Sequence, residues 1–190
     1  MKNYSLRNDK GEIVWISRSV AVVCVVIRRI NNNLQVLIER RGNGVDNSGK
    51  LCLPCGYLDF NETIEEAVKR ELLEETGFQA NINKLNFYKF DSSPKSAHQN
   101  VSFFYNYFAE ANEDFDLKRA IGGEYDETED VKWLTIGHFY NEMVHLSKKE
   151  YLSIDYDYFP KSFEFAFNHF EEIINLLNRI FIIKNEESKN

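Results

Sequence analysis

The sequence predicts an α+β fold, or a layered α/β sandwich, with a mixed β-sheet. Residues 19–29, SVAVVCVVIRR, form a near-continuous apolar run, which is typical of a strand buried on both faces. Residues 63–76 carry a helical pattern of apolar side chains and lie between segments with strand patterns. Residues 163–180 repeat apolar side chains at helical spacing, which predicts an amphipathic C-terminal helix.

The other elements follow from local patterns. Strand patterns occur at residues 13–16, 19–29, 34–41, 81–90, 101–109 and 131–134. The run NNN at residues 31–33 predicts a hairpin turn, and residues 42–50 and 112–129 predict polar loops, the second strongly acidic. Gly77 stands where a left-handed C-cap is expected, so the predicted helix ends at Thr76.

A chain of 190 residues predicts one domain, or one domain with an added terminal element. We expect residues 1–150 to form the main domain and residues 151–190 to form a C-terminal helical extension packed on it. The apolar stripe of that extension consists of Phe163, Ala166, Phe167, Phe170, Ile173, Ile174, Leu177 and Ile180. An exposed stripe of this kind promotes association, so dimerisation through it is the alternative to packing, and the protein is expected to be a monomer or a homodimer.

Charge and composition argue against several classes of partner. The chain carries 30 acidic and 23 basic residues, a net charge of -7, so no DNA partner is expected. A local basic groove that binds nucleic acid is the alternative that this charge leaves. The longest apolar run, residues 20–27, is too short to cross a membrane, and residues 1–15 lack the apolar segment of a signal peptide. The three cysteines are an odd number, which fits a reducing compartment. We expect a cytoplasmic protein with no membrane partner.

The helix predicted at residues 63–76 places three glutamates close to its own apolar face. At about 100° per residue, its apolar stripe consists of Ile64, Ala67, Val68 and Leu72. Glu71, Glu74 and Glu75 overlap this stripe, and partly desolvated carboxylates need protons, a basic partner or metal ions to offset their repulsion. Oxygen ligands at this spacing suit hard cations such as Mg²⁺ or Mn²⁺. A helix ion-paired with Arg70 and nearby lysines is the alternative.

The residues around these glutamates resemble the Nudix box, G-x5-E-x7-R-E-U-x-E-E-x-G-U, in which U is an aliphatic or bulky apolar residue. Every fixed position is matched between Gly56 and Phe78, GYLDFNETIEEAVKRELLEETGF. The resemblance extends in organisation over residues 17–140, although only the box is specific. It implies the fold of that family, an α/β/α sandwich with a mixed sheet between helices and the box as a loop–helix–loop.

The resemblance also implies a metal site and a reaction. Glu71, Glu74, Glu75 and the backbone carbonyl of Cys55, the residue before the box glycine, would bind Mg²⁺ or Mn²⁺. The reaction would be metal-dependent hydrolysis of the pyrophosphate linkage in a nucleoside diphosphate joined to another group, with Glu71, Glu74 and Arg70 in the catalytic set. ADP-ribose, NADH, nucleotide sugars, nucleoside triphosphates, dinucleoside polyphosphates, oxidised nucleotides and capped RNA are all compatible, and the expected partner is a small nucleotide diphosphate derivative.

Three further box residues would have structural roles in a protein of this family. Glu62 would pair with Arg70 to brace the helix. Gly56 and Gly77 would serve the backbone of the two loops.

The general base is not set by the box, since family members differ in which carboxylate they use. The acidic segment GGEYDETEDVKW, residues 122–133, is the candidate source of a base from outside the box. Glu127 is the first choice and completes the predicted catalytic set, with Glu124 and Glu129 as alternatives. The alternative is an acidic loop that is merely solvated and has no catalytic role.

The sequence also offers alternatives to this function. The spacing Cys52-Leu53-Pro54-Cys55 imitates a thiol redox motif, but the predicted helix starts too late to lower a thiol pKa, and no second cysteine pair completes a zinc site. A catalytically silent Nudix-like nucleotide sensor that regulates transcription is the main alternative. The intact box, and a tail after Tyr151 that is not strongly basic, argue against it. An isomerase of isoprenoid diphosphates needs further catalytic residues that the sequence does not identify.

Overall fold

The structure is a computed structural model, and it describes residues 3–95, 99–116, 127–145, 147–154, 156, 159 and 163–184. The strands are β1 Tyr4–Arg7, β2 Ile13–Ile16, β3 Val20–Ile30, β4 Asn33–Arg41, β5 Leu51–Cys52, β6 Cys55–Tyr57, β7 Asn86–Asp91, β8 Val101–Ala109, β9 Thr128–Val144 and β10 Ser147–Ser153. The helices are α1 Ile64–Thr76 and α2 His169–Ile180, and a 3₁₀ helix covers Ile82–Lys84.

Eight of the strands form one mixed sheet. Its main path runs in the order β10-β9-β4-β3-β8-β7, while β5 pairs with β4 and β6 pairs with β3. β3 and β8 are parallel, and the other paired strands of this sheet are antiparallel. β1 and β2 form a separate antiparallel hairpin. The mixed sheet that the sequence predicts is therefore confirmed.

β3 lies near the middle of this sheet and contributes to cores on both of its faces. One core contains Val22, Cys24 and Val26 with the apolar side of α1, and the other contains Val23, Val25 and Ile27 with α2. Successive side chains of a strand point to opposite faces, so one uninterrupted apolar run supplies both cores. The resulting architecture is the predicted α/β/α sandwich.

α1 ends at Thr76 as the sequence predicts, and it begins one residue later than predicted, with Thr63 as its N-cap. The Thr63 hydroxyl accepts the N–H of Glu66 at 3.2 Å, and the Glu66 carboxylate accepts the N–H of Thr63 at 2.7 Å, which is a complete capping box. At the other end Gly77 adopts φ 69, a left-handed conformation that glycine takes without steric cost. Both ends of the glutamate-bearing helix are thus fixed by local interactions.

The strand expected at residues 131–134 is much longer in the structure. β9 extends from Thr128 to Val144 because it pairs with β4 on one side and with β10 on the other. Ladder pairing satisfies its backbone groups even where the side chains show no strand pattern. β10 has few apolar residues and was not predicted.

The segment predicted as a strand at residues 81–90 starts instead with the 3₁₀ helix. The Asn81 side chain accepts the N–H of Asn83 at 3.0 Å, which favours a turn over an extended chain. β7 therefore begins only at Asn86.

α2 begins at His169, later than the start that the apolar pattern predicts at residue 163. Residues 164–166 pair instead with Leu51: the N–H of Leu51 donates to the Glu164 carbonyl at 2.8 Å, and the N–H of Ala166 donates to the Leu51 carbonyl at 2.7 Å. These bonds hold the backbone groups that a helix would need. α2 packs on the sheet through Ile173, Leu176 and Leu177. The division into residues 1–150 and 151–190 stays a prediction.

Neither helix in the described part of the chain has both the length and the apolar character needed to cross a membrane.

Candidate active site

The box forms a loop–helix–loop whose two ends are joined by a hydrogen bond. β6 carries the first box residues and pairs with β3, with Gly56 opposite Val22 and Cys55 opposite Val23. The N–H of Cys55 donates to Glu75 Oε2 at 2.8 Å. Strand pairing on one side and this bond on the other hold the start of the box against the last turn of α1.

Arg70 lies at the centre of an ion-paired group on α1. Its Nε and Nη2 donate to Glu62 at 3.1 and 2.8 Å, its Nη1 donates to Glu71 and Glu74 at 2.8 and 2.9 Å, and its Nη2 also donates to the Tyr57 carbonyl at 2.8 Å. The bond with Glu62, followed by those with the other two carboxylates, raises the pKa of Arg70 above its usual range. The same bond lowers the pKa of Glu62. The structure brings Arg70 and Glu62 together and places two of the three predicted metal ligands on the same guanidinium.

Glu71 and Glu75 are the desolvated carboxylates of the box. The Glu71 side chain is 13% exposed, and burial raises its pKa to about 7 although Arg70 opposes the shift. Glu75 is 9% exposed, and burial, followed by the negative charge of Glu39, raises its pKa well above the usual value. The Glu74 side chain is more accessible, at 25%. Burial therefore favours the protonated forms of Glu71 and Glu75.

Glu39 is a buried acid beside this group that the sequence analysis missed. Its carboxylate on β4 accepts hydrogen bonds from the Cys52 thiol at 2.8 Å and from the Thr128 hydroxyl at 2.7 Å. Burial raises the pKa of Glu39. The available signal was its position two residues after Leu37, since residues i and i+2 share a face of a strand and Leu37 is a core residue.

The donor set suits a hard divalent cation, since every candidate side chain offers oxygen. Gly56 lets the Glu71 carboxylate approach the start of the box closely, because a Cβ at this position would overlap that carboxylate. Within the described part of the chain, however, no three His, Cys, Asp or Glu side chains are grouped so as to hold a metal ion. Arg70 holds Glu71 and Glu74, and the loop backbone holds Glu75. Arg70 engages one oxygen of each of these two carboxylates, Oε1 of Glu71 and Oε2 of Glu74.

A cleft of about 550 Å³ opens beside the start of the box. It is lined by Ala21, Val23, Arg41, Val45, Asp46, Asn47, Cys55, Gly56, Tyr57, Asp91, Asn100, Ser102, Phe104, Glu127, Phe167, Asn168 and His169. Arg41 is the one lysine or arginine among these lining residues, which also include three carboxylates. An anionic ligand in this cleft would therefore meet a single fixed cation of the described chain.

Glu127, the first choice for a general base, lies at this cleft. Its charge raises the pKa of both Glu71 and Glu39, although it is not the largest cause at either group, so its carboxylate is close enough to influence both. Glu129 lies exposed on β9 and does not line the cleft. Glu124 lies outside the described residues. Of the two candidates that the structure describes, only Glu127 lines the cleft.

The first residue of α2 and the two residues before it reach the same cleft, which the apolar pattern of residues 163–180 did not show. His169 is buried, and its Nδ1 accepts the N–H of Leu53 at 3.0 Å. Burial, and then the charge of Arg41, lower the pKa of His169 to about 3, so its ring is a neutral acceptor. Phe167, predicted on the apolar stripe of the helix, precedes the helix and lines the cleft. A signal was present, because Asn168 is a residue type that favours the N-cap.

The fold and the site together define a class of protein, an α/β/α sandwich in which a capped, carboxylate-rich helix adjoins an open cleft. The model of the NUDIX domain family matches residues 17–153. The chain belongs to the Nudix family.

An enzyme is among the proteins similar to this chain. An ADP-ribose pyrophosphatase of Methanocaldococcus jannaschii is 34% identical over 79 residues, which cover 42% of this chain and 44% of that protein. The chain thus matches less than half the length of this relative.

Solved structures share the fold at low sequence identity. A MutT/nudix family protein from Enterococcus faecalis has a TM-score of 0.65 at 22% identity, over 87% of this chain and 62% of that one. The NUDIX domain of Shewanella oneidensis NrtR complexed with ADP ribose has a TM-score of 0.61 at 18% identity, over 91% of this chain and 93% of that one. NrtR complexed with a 27mer DNA has a TM-score of 0.55 at 19% identity, over 85% and 61%.

Proposed function

We propose that the chain is a metal-dependent pyrophosphohydrolase that cleaves the pyrophosphate linkage of a nucleoside diphosphate joined to another group. The observation that carries this proposal is that α1 holds Glu71, Glu74 and Glu75 behind a cleft whose wall includes Cys55 and Gly56. The substrate class is supported by the ADP-ribose pyrophosphatase relative and by the ADP ribose complex of the NrtR domain. ADP-ribose is therefore the first candidate substrate.

The proposed metal site uses oxygen atoms from both ends of the box. Glu71, Glu74, Glu75 and the carbonyl of Cys55 would hold Mg²⁺ or Mn²⁺. When bound, such an ion supplies positive charge against the diphosphate and makes a nearby water easier to deprotonate. An acidic chain needs that charge, because Arg41 is the one lysine or arginine among the described residues of the cleft.

The other residues position groups or move a proton. Arg70, braced by Glu62, holds the Glu71 and Glu74 carboxylates on one side of α1. Glu127 lies at the cleft, where its carboxylate would accept the proton of the attacking water. The water oxygen then bonds to phosphorus as the bridging P–O bond breaks, and the departing phosphate takes the electron pair.

The test is a substrate panel assayed with the full chain. ADP-ribose, NADH, a nucleotide sugar, a nucleoside triphosphate and a dinucleoside polyphosphate are each incubated with Mg²⁺, with Mn²⁺ or with a chelator, and products are separated by chromatography. The expected result is AMP and ribose 5-phosphate from ADP-ribose, only when a divalent cation is present. Full turnover in chelator contradicts the metal dependence. No turnover of any substrate contradicts the proposal that the chain is a pyrophosphohydrolase.

A nucleotide-sensing regulator is the second candidate, favoured by one observation. The ADP ribose complex of NrtR, a protein also solved with DNA, matches this chain over nearly its whole length. The net charge of -7 argues against DNA binding by this chain. Saturable ADP-ribose binding without turnover is the result that favours this candidate. A cytoplasmic location, a monomeric or homodimeric state, and the absence of a DNA or membrane partner stay predictions.

A further inference from the structure

The wall of the cleft formed by residues 167–169 is anchored to the strand that leads into the box. Backbone bonds join Leu51 to Glu164 at 2.8 Å and to Ala166 at 2.7 Å. His169 Nδ1 accepts the N–H of Leu53 at 3.0 Å. The segment is therefore fixed on both sides of Phe167, by Ala166 before it and by His169 after it.

Phe167 has a backbone conformation that is unusual for its size. Its φ is 56, in the left-handed region that bulky side chains rarely adopt. The two anchoring residues, Ala166 and His169, are 0% and 4% exposed. Phe167, which lies between them, is 41% exposed and lines the cleft. Residues held in such conformations cluster at ligand sites, because the surrounding structure must impose them. Here the two anchors present an aromatic ring at the cleft.

Arg41 lies over one face of this ring. Its Cζ is 5.4 Å from the centroid of the Phe167 ring, and its Nε donates to the Asp46 carbonyl at 2.7 Å, which fixes the guanidinium. An aromatic face beside a fixed cation suits a ligand with a flat base and a nearby phosphate.

We propose that Phe167 is a specificity-determining residue that stacks on the base of a nucleotide ligand, with Arg41 contacting the phosphate next to that base. The inference rests on the proposed function for its substrate, since it names the part of a nucleoside diphosphate that the cleft selects. Bases of all kinds have a π-face, so a phenylalanine favours nucleosides over base-free sugar phosphates without choosing among bases.

Two other rings of the cleft are alternatives for this role. Phe104 is 4% exposed, so its ring offers little surface to a ligand. Tyr57 is 57% exposed, but it follows Gly56 directly, and Arg70 bonds its carbonyl at 2.8 Å. Tyr57 is thus placed at the carboxylate end of the cleft, where the diphosphate would lie. Binding measurements on Tyr57→Ala and Phe167→Ala distinguish the two rings.

The test measures binding of AMP and of ribose 5-phosphate, which share the sugar phosphate and differ by the base. Titration calorimetry in Mg²⁺ buffer compares the wild-type chain with Phe167→Ala, Phe167→Leu, Phe167→Trp and Tyr57→Ala. Phe108→Ala is the matched control, because Phe108 is 45% exposed and does not line the cleft. Melting curves show that each variant is folded, and Phe167→Leu keeps apolar volume without a π-face.

The expected result is a Kd for AMP raised about tenfold by Phe167→Ala and by Phe167→Leu, with Phe167→Trp close to wild type and ribose 5-phosphate unchanged. Phe108→Ala should change neither ligand. The inference is overturned if wild type does not prefer AMP, if Phe167→Ala affects both ligands equally or neither, or if Tyr57→Ala alone removes the preference. Selective AMP binding in a chain that hydrolyses no substrate would refute the proposed enzyme and leave this inference standing.

Discussion

The N–H of Cys55 donates a hydrogen bond of 2.8 Å to the carboxylate of Glu75, twenty residues further along the chain. The bond joins the loop that would offer a metal its backbone carbonyl to the helix that would offer the carboxylates. Because Glu75 is buried, its charge depends on such donors and on any cation that binds nearby.

Glu75→Gln should lower kcat by at least about 100-fold while the chain stays folded. The amide oxygen can still accept the N–H of Cys55, so the loop is held, but the negative charge for a cation is lost. Steady-state kinetics and a melting curve check this, with exposed Glu171→Gln on α2 as the control. Unchanged kinetics would remove Glu75 from the site, and an unfolded variant would show a bracing role.

Gly56→Ala should reduce turnover at least about tenfold, because the added methyl would overlap the Glu71 carboxylate and displace it. Gly11→Ala is the control. Gly11 has φ 79 and nothing within 4 Å of an added Cβ, so the change strains the backbone without touching the site. Turnover is compared at saturating Mg²⁺. If both variants lose activity equally, the close approach of Gly56 and Glu71 is not what matters.

The contribution of Glu71 to the stability of the metal-free chain should fall as pH rises from 4.5 to about 7. Burial raises its pKa from 4.5 to about 7, so in this window the folded chain holds a proton that the unfolded chain has lost. Folding takes up that proton, and rising pH therefore opposes folding. The contribution is fully present below 4.5 and lost above about 7.

The Tm in chelator, measured near pH 5 and near pH 8, tests this dependence. Wild type should lose more Tm than Glu71→Gln, whose amide does not ionise. Equal losses in the two proteins would show that Glu71 is ionised throughout. Adding Mg²⁺ near pH 8 should restore part of the Tm of wild type, since binding to the folded state stabilises it.

Leu177→Ala should destabilise the chain by about 2–5 kcal/mol, because Leu177 is fully buried between α2 and the sheet. The exposed neighbour Asn178 provides the control, and Asn178→Ala should have little effect. Urea unfolding measures both. A loss below about 0.5 kcal/mol in Leu177→Ala would mean that α2 adds little to the stability of the fold.

The sequence by itself determined the parts of this protein that depend on near neighbours. The cap at Thr63, the C-cap at Gly77 and the order of residues in the box are local, and they place Glu71, Glu74 and Glu75 on one side of a single helix. The apolar run of β3 likewise predicted a strand buried on both faces. Helix and strand periodicity act over a few residues, so one sequence is enough to show them.

Only the tertiary structure decided what surrounds those carboxylates. Pairing with β4 and β10 extended β9 beyond its apolar pattern, and the bonds of Leu51 with Glu164 and Ala166 delayed the start of α2. The same bonds brought Phe167 to a cleft shared with Arg41 and Cys55. These contacts join residues far apart in the chain through backbone groups, which every residue carries. No side-chain pattern in the sequence therefore predicts these contacts.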